Sequence, residues 1–205
     1  MFLKPIFLYI RSDAKCDYMP RSGVTRESAS PKLEAALRKS IRSLPDYPKK
    51  GVTFRDITPL LKDPELYRGI AEEIAAHFAK DKVDYVAGIE SRGFPFGALV
   101  AEQLNVGFVL IRKKGKLPYE TVSVDYGMEY GTATIEMHSD AVEKGSRVLI
   151  VDDLLATGGT AKASFDLVKK LKAKVVGYAF VVELVDLKGR EKLEPSEVFS
   201  LVKYD

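Results

Sequence analysis

The chain has 205 residues, 46% of them hydrophobic, which is enough for one domain with a real core. Its net charge is +3 and residues 1–27 contribute +2 of it, so the remainder lacks the basic field typical of nucleic-acid-binding proteins. A single cysteine, Cys16, excludes an internal disulfide and a cysteine-based zinc cluster, and no stretch reaches the roughly 18 apolar residues of a membrane span. We therefore expect a cytoplasmic protein that binds neither nucleic acid nor membrane.

Residues 1–27 begin with the apolar stretch MFLKPIFLYI. Pro5 interrupts this stretch, and three acidic residues that follow argue against a typical transit peptide. We predict a flexible extension, with a targeting role as the alternative. The folded domain is then expected over residues 28–205.

Two amphipathic helices are predicted next. Ser30 fits an N-cap and Pro31 the first helical position of one helix, and a second helix should run from Asp63-Pro64 to about Ala79. Residues 49–64 between them, rich in turn signals, are predicted to be irregular. The apolar face of the first helix would comprise Leu33, Leu37, Ile41 and Leu44.

A strand over residues 83–89 is followed by Glu90-Ser91-Arg92-Gly93-Phe94 and a helix to about Leu104. Free amides at a helix start and a planar guanidinium both suit an anion such as phosphate. This loop is therefore a candidate anion site around Arg92. Glu90 and Ser91 by themselves equally fit an ordinary capped helix start.

Residues 106–111 are predicted to form another buried strand, after which residues 112–116 contain four cations. A charge run is usually a solvated turn. However, a strand parallel to its neighbours would bring this run to the same edge of the sheet as the Arg92 loop. Arg112 and Lys116 are therefore candidates for an anion, with Lys113 and Lys114 expected in water.

Alternating apolar residues on both sides of residues 127–131 predict a two-stranded β-arm with Glu129 and Tyr130 at its tip. By itself this tip is a solvent-exposed hairpin. Further strands are predicted over residues 175–183 and 198–204, around the basic turn Lys188-Gly189-Arg190.

Residues 147–162, RVLIVDDLLATGGTAK, carry the strongest signal. A buried strand over residues 148–151 ends at Asp152 and Asp153, and residues 157–160 open a helix through Leu171. Glycines and a helix N-terminus favour a phosphate here, whereas two carboxylates need hydroxyl donors or a divalent cation. A phosphate beside a vicinal diol describes a ribose 5-phosphate. A capping pair in an ordinary βα turn is the alternative.

The repeated strand and helix pattern predicts an α/β fold, with an open, mainly parallel twisted sheet, helices on both faces and a small N-terminal hood. The segment VLIVDDLLATGGTA resembles the phosphoribosyl pyrophosphate signature of the type I phosphoribosyltransferases. The similarity extends over about residues 28–205 and includes PDYPKKGVTFRDITPLLKDP, YVAGIESRGFPFG, IRKKGKLPYET and VELVDLKGREKL. It implies a hood at about 45–62 and a mobile lid at about 112–131.

The chain most resembles the members that use adenine. This resemblance implies Mg²⁺-dependent transfer of the 5-phosphoribosyl group from phosphoribosyl pyrophosphate to N9 of adenine, giving AMP and pyrophosphate. It also implies a homodimer, and a Mg²⁺ ion held mainly through substrate and water near Asp152 and Asp153. Main-chain groups near Thr53 and Arg55 would match the acceptor and donor on the adenine edge.

The resemblance assigns site residues in four groups. The phosphoribosyl group would be bound by Asp152, Asp153, Ala156, Thr157, Gly158, Gly159 and Thr160. The pyrophosphate would be bound by Glu90, Ser91, Arg92, Arg112 and Lys116, with a cis peptide between Glu90 and Ser91. The adenine would be bound by Thr53, Phe54, Arg55 and Leu154, and catalysis would involve Glu129, Arg92 and Lys116.

Three alternatives remain open at this point. Phe54, a single aromatic, fits an ordinary core residue as well as a stacking partner. The enzyme could use another base, since specificity would lie in the hood. The chain could also be a non-catalytic regulator that senses phosphoribosyl pyrophosphate and binds nucleic acid, although its near-neutral body and the lack of a helix-turn-helix segment disfavour this.

Overall fold

A seven-stranded sheet forms the centre of the structure, a computed structural model that describes residues 29–128 and 131–205. The predicted extension 1–27, and Glu129 and Tyr130 at the tip of the β-arm, lie outside the described residues. The strands are β1 Arg42–Leu44, β2 Phe54–Asp56, β3 Tyr85–Ile89, β4 Gly107–Lys113, β5 Thr121–Met128, β6 Gly131–His138, β7 Arg147–Leu155, β8 Lys174–Leu184 and β9 Glu197–Tyr204. The α-helices are α1 Pro31–Ser40, α2 Thr58–Lys62, α3 Pro64–Phe78, α4 Gly93–Leu104 and α5 Gly159–Lys170.

The strand order in the large sheet is β5-β6-β4-β3-β7-β8-β9. Five neighbouring strands, β4, β3, β7, β8 and β9, are parallel. The β5-β6 hairpin joins β4 in antiparallel orientation at one edge of the sheet. The predicted mainly parallel sheet is therefore confirmed. Parallel strands are covered on both faces, which is why β7 reads as an uninterrupted apolar run.

The two faces of the sheet bury separate apolar clusters. On one face, α1, α2, α3 and α4 pack against residues such as Leu149 and Val151. On the other face, α5 and the β5-β6 hairpin pack against Val148 and Ile150. The alternation of β7 residues between the clusters follows the pleat of a strand, and it confirms helices on both faces.

The N-terminal segment departs in two places from the sequence prediction. Ser30 caps α1 as expected, but the helix ends at Ser40 and Ile41 is extended, so the prediction that Leu44 lies on its apolar face was wrong. Residues 42–44 instead pair antiparallel with β2, inside the segment 49–64 that we expected to be irregular. That segment also contains α2. The strands β1 and β2 and the helix α2 are too short to show a periodicity in the sequence. The two strands form because each pairs with the other.

Asp63 caps α3 as the sequence indicates, its Oδ1 accepting hydrogen bonds from the N–H groups of Glu65 and Leu66 at 3.0 and 3.1 Å. Between β8 and β9, the predicted basic turn forms two short 3₁₀ helices, Val185–Leu187 and Gly189–Leu193. In the part of the chain that the structure describes, no helix has both the length and the apolar character needed to cross a membrane.

Candidate active site

A cavity of about 380 Å³ opens at the carboxyl-terminal ends of β3, β4 and β7. Parallel strands bring their carboxyl ends to one edge of a sheet, so the loops that follow them meet there. Of the residues proposed from sequence, seven line this cavity: Glu90, Ser91, Arg92, Arg112, Asp152, Asp153 and Thr160. The structure therefore brings together residues from three separate segments.

The aspartate pair lies within β7 rather than after it, because the strand continues to Leu155. Asp153 is only 3% exposed, and its Oδ2 lies 2.6 Å from Nε of Arg92 in an ion pair. The backbone N–H of Asp153 donates to Oδ1 of Asp152 at 2.9 Å. Both carboxylates are thus fixed at the floor of the site.

Burial raises the pKa of Asp152 well above its ordinary value, and the negative charge of Asp153 raises it further. Burial also raises the pKa of Asp153, although the guanidinium of Arg92 opposes this effect. Two neighbouring carboxylates in such a place gain from hydroxyl donors or from a cation, which stabilise their charged forms. The pair therefore fits a ribose diol and a nearby divalent cation.

The loop between β7 and α5 presents an uncapped helix N-terminus. Gly158 has a positive φ of 76°, and α5 begins at Gly159 without a side chain that caps it. The N–H groups of this first turn and the helix dipole favour an anion. Thr160 closes one side of the loop, where its Oγ1 donates to the hydroxyl of Tyr126 at 3.2 Å.

The Arg92 loop forms a second helix N-terminus, at the start of α4. The peptide bond between Glu90 and Ser91 is cis, as the family resemblance implied. A Cβ on Gly93 would lie 2.6 Å from the carbonyl oxygen of Val151 and 3.0 Å from Oδ1 of Asp152, so only glycine allows α4 to begin directly against β7. The loops at the starts of α4 and α5 therefore flank the aspartate pair.

The side chain of Glu90 holds the basic loop that follows β4. Its Oε2 accepts the N–H of Lys113 at 3.0 Å and lies 3.2 Å from Nε of Arg112. Burial would raise the pKa of Glu90, but these donors hold it below its ordinary value. Because an ionised carboxylate repels anions, Glu90 can serve an anionic ligand only through its backbone. Lys113, which we expected in water, borders the cavity.

Glu136 on β6 was missed by sequence reasoning. The side chain is 5% exposed, and its Oε1 accepts the N–H groups of Lys116 and Leu117 at 3.1 and 3.0 Å. Arg112 supports the same loop, donating from Nη1 to the carbonyl oxygen of Lys116 at 2.8 Å. The sequence does not indicate that the side chain of this polar residue in the β-arm is buried.

None of the four residues proposed for adenine lines the cavity, and Phe54 is the one that lies beside Arg92. Phe54 is half-buried, with its ring centroid 5.8 Å from Cζ of Arg92, so it is not a core residue. Thr53 is exposed, and Leu154 packs against the apolar cluster of the α1–α4 face; neither lines the cavity. The side chain of Arg55 points to the ring of Tyr204, at 3.9 Å from the centroid.

Tyr126 is a second residue that the sequence prediction left without a role. It lines the cavity and contacts Thr160, and it belongs to β5, which leads to the tip of the predicted lid. The alternation of apolar and polar residues along β5 could have indicated the face of the strand on which Tyr126 lies. It could not have indicated that α5 begins opposite this side chain. Glu129, which the family resemblance assigns to catalysis, lies outside the described residues.

Comparison with known proteins agrees with this geometry. Residues 57–204 match the family model described as "Phosphoribosyl transferase domain". An adenine phosphoribosyltransferase of Halothermothrix orenii is 53% identical over 167 residues, which are 82% of this chain and 98% of the relative.

Two solved structures are also similar. One, from Thermoanaerobacter pseudethanolicus and described as adenine phosphoribosyltransferase, is 49% identical, with a TM-score of 0.81 over 83% of this chain and 99% of its own. The other, an adenine phosphoribosyltransferase from Saccharomyces cerevisiae in complex with D-2,5-dideoxy-2,5-imino-altritol 1,6-bisphosphate and adenine, is 40% identical, with a TM-score of 0.79 over 82% of this chain and 98% of its own.

Proposed function

The chain belongs to the adenine phosphoribosyltransferase family, and from this premise we propose how its site carries out the family reaction. The protein transfers the 5-phosphoribosyl group from phosphoribosyl pyrophosphate to N9 of adenine, giving AMP and pyrophosphate, a step of purine salvage. It is thus an enzyme, and the alternative of a non-catalytic regulator is not retained.

The observation that carries the proposal is the placement of two helix N-termini on either side of the aspartate pair. The loop 156–160 binds the 5-phosphate through its backbone N–H groups and the dipole of α5. Asp152 and Asp153 accept hydrogen bonds from the ribose hydroxyls. The pyrophosphate lies at Ser91 and Arg92, facing Arg112 and the loop that contains Lys116.

In the reaction, the bond between ribose C1 and the pyrophosphate oxygen breaks, and its electron pair leaves with pyrophosphate. The lone pair of adenine N9 forms the new bond to C1, and the N9 proton is released. Positive charge develops on the ribose ring, as in other glycosyl transfers. Asp152 and Asp153 stabilise this charge from below, while Arg92 and Lys116 stabilise the negative charge on the leaving group.

A Mg²⁺ ion fits the donor set of this site. Asp152 and Asp153 would hold it, mostly through water and substrate oxygens, as is usual for Mg²⁺ at phosphate groups. When bound, it supplies positive charge that neutralises the pyrophosphate oxygens. Among the described residues, no group of three or more His, Cys, Asp or Glu side chains forms a dedicated metal cage.

Adenine is recognised between the hood and Arg92. Main-chain groups at Thr53 and Arg55 pair with its N1 and N6 positions, and Phe54 stacks on the ring. A 6-oxopurine presents the opposite donor and acceptor pattern and would leave buried polar groups unpaired. We therefore expect turnover of adenine and much slower turnover of hypoxanthine, guanine and orotate. A preference for any of these three would transfer the proposal to another base.

Asp153→Asn tests the diol role. One charge-assisted hydrogen bond contributes about 1.5–3 kcal/mol, so kcat/KM for phosphoribosyl pyrophosphate should fall about 10- to 150-fold. The assay is AMP production from adenine and phosphoribosyl pyrophosphate, with and without Mg²⁺. An unchanged kcat/KM in the variant would refute the role of the aspartate pair.

Four further parts of the proposal rest on the family resemblance or on composition. Glu129 moves a proton to or from the purine, and the lid over residues 112–131 closes on the substrates. The protein forms a homodimer, which sedimentation of the purified chain would test. It acts in the cytoplasm, a location consistent with its single cysteine.

A further inference from the structure

The segment Gly189–Leu193, which we call the 189–193 turn, has no part in the reaction described above. It is a short 3₁₀ helix between β8 and β9, directly behind the loop 156–160. Its sequence suggested only a basic surface turn. The structure shows instead that it is held firmly and touches the phosphate loop through backbone atoms.

The contact is made by two glycines. A Cβ on Gly158 would overlap the carbonyl oxygen of Gly189, and a Cβ on Gly189 would overlap the carbonyl oxygen of Ala156 and lie 3.0 Å from the backbone N of Gly158. The two backbones therefore touch without an intervening side chain. Gly158 also needs its positive φ of 76° to turn the chain into α5, whereas Gly189 has no such conformational requirement.

The 189–193 turn is itself anchored at several points. Nε and Nη2 of Arg190 donate to Oε1 and Oε2 of Glu183 at 2.9 and 2.6 Å, and Nη1 donates to the carbonyl oxygen of Val198 at 2.6 Å. Glu183 on β8 is only 4% exposed. At the far end, Leu193 is 2% exposed and belongs to the same apolar cluster as Leu155. The turn is thus fixed to two neighbouring strands and to the core.

We propose that Gly189 and Arg190 are positioning residues for the 5-phosphate loop. The anchored turn forms a rigid back wall that keeps Ala156 and Gly158 in the conformation in which the amides of α5 point at the phosphate. This inference rests on the proposed function, because it assumes that the loop 156–160 holds the 5-phosphate. It adds a second layer of residues, outside the cavity, that sets affinity for the phosphoribosyl group.

The physical reason is that amide donors bind phosphate well only in a fixed geometry. A displacement of about 1 Å at a binding group can cost roughly 100-fold in rate. A methyl group at position 189 cannot be accommodated by a side-chain rotation alone. It would meet Cδ1 of Leu155, but it would also meet the carbonyl oxygen of Ala156 and the backbone N of Gly158. The loop must move, whereas Thr53, Phe54 and Arg55 belong to a separate segment that need not move.

The test compares Gly189→Ala with Gly177→Ala. A Cβ on Gly177 would meet Cε1 of Phe78 at 2.5 Å, so this control also introduces a clash, but on β8 away from the phosphate loop. For Gly189→Ala we expect KM for phosphoribosyl pyrophosphate to rise at least about tenfold, with KM for adenine changed less than about twofold. For Gly177→Ala both KM values should stay near those of the wild type even if its melting temperature falls.

A binding measurement separates this inference from the proposed function. Calorimetric titration of the purified chain with ribose 5-phosphate should show weaker binding to Gly189→Ala than to wild type and Gly177→Ala, whether or not AMP is formed. Failure of the wild type to make AMP would overturn the proposed function, whereas equal ribose 5-phosphate affinity in all three proteins would overturn the role of Gly189.

Arg190→Lys provides a second variant should Gly189→Ala not fold. Lysine cannot reproduce the two parallel bonds to Glu183, so the turn should loosen without a clash. We expect a smaller rise in the ribose 5-phosphate dissociation constant, about threefold or more, again without a change in KM for adenine. A lower melting temperature with unchanged affinity would assign Arg190 to stability alone and refute its positioning role.

Discussion

Tyr204 near the C-terminal end should control the affinity for adenine, although it lies outside the cavity. Its ring is approached by the guanidinium of Arg55 at 3.9 Å and by that of Arg38 at 5.0 Å. Arg55 belongs to β2, next to Phe54, and its Nε is buried without a hydrogen-bond partner. The ring of Tyr204 therefore connects β2, in the predicted hood, to the end of β9. We expect Tyr204→Leu to loosen the hood.

The size of the effect follows from the contact. A guanidinium over an aromatic ring contributes about 0.5–1 kcal/mol when exposed and about 2 kcal/mol when desolvated. Tyr204 and Arg55 are both half-buried, which places the interaction at about 1–2 kcal/mol. If that energy holds the hood over the base, KM for adenine should rise about 5- to 30-fold in Tyr204→Leu. KM for phosphoribosyl pyrophosphate should not change, since its site is built from other loops.

The assay is steady-state AMP formation with each substrate varied in turn. Tyr204→Phe is the matched control, because it keeps the ring and should leave KM for adenine within about twofold of wild type. Equal increases in both KM values, or the same loss in Tyr204→Phe, would contradict a specific link between this ring and the hood.

Two further predictions concern charged side chains. Glu136→Ala removes the acceptor for the N–H groups of Lys116 and Leu117, so KM for phosphoribosyl pyrophosphate should rise and the free energy of unfolding should fall by about 2 kcal/mol. Glu136→Gln keeps an acceptor oxygen and should show smaller changes in both quantities. Identical kinetics of the two variants and wild type would contradict this. The second prediction concerns Asp84. Hydrogen bonds from Arg147 lower the pKa of Asp84 to about 2, so the stability that this carboxylate contributes is present above about pH 4 and is lost as the pH falls towards 2. In urea titrations at several pH values, the difference in unfolding free energy between wild type and Asp84→Asn should therefore shrink from pH 4 to pH 2, and a constant difference would refute this role.

The part of the site that could be predicted from sequence is the part encoded locally. The apolar run of β7 specifies a strand, and the glycines at positions 158 and 159 specify the turn into α5. Residues 90–92 specify the loop that leads into α4. Since these strands are parallel, their loops had to share one edge. The family resemblance then supplied a proposed role for each loop, and it implied the cis peptide between Glu90 and Ser91 that the structure shows.

The residues that sequence reasoning missed all act through partners far away in the chain. Glu136 holds a loop beyond the preceding hairpin strand, and Tyr126 meets the start of α5 only because the hairpin packs on that helix. Arg55 was expected to serve adenine through its backbone, and only the structure shows where its side chain goes. Residue type gave no indication of these contacts.

Local sequence was enough to predict the longer strands and helices, the loops before α4 and α5, and the acidic pair between them, because periodicity, glycines and helix caps act over a few neighbouring residues. The short strands β1 and β2, the inward orientation of Glu136 and the contact of Gly158 with Gly189 depend on the tertiary structure. These features exist only where segments distant in the chain meet, since the contact between the two segments is what stabilises the position of each.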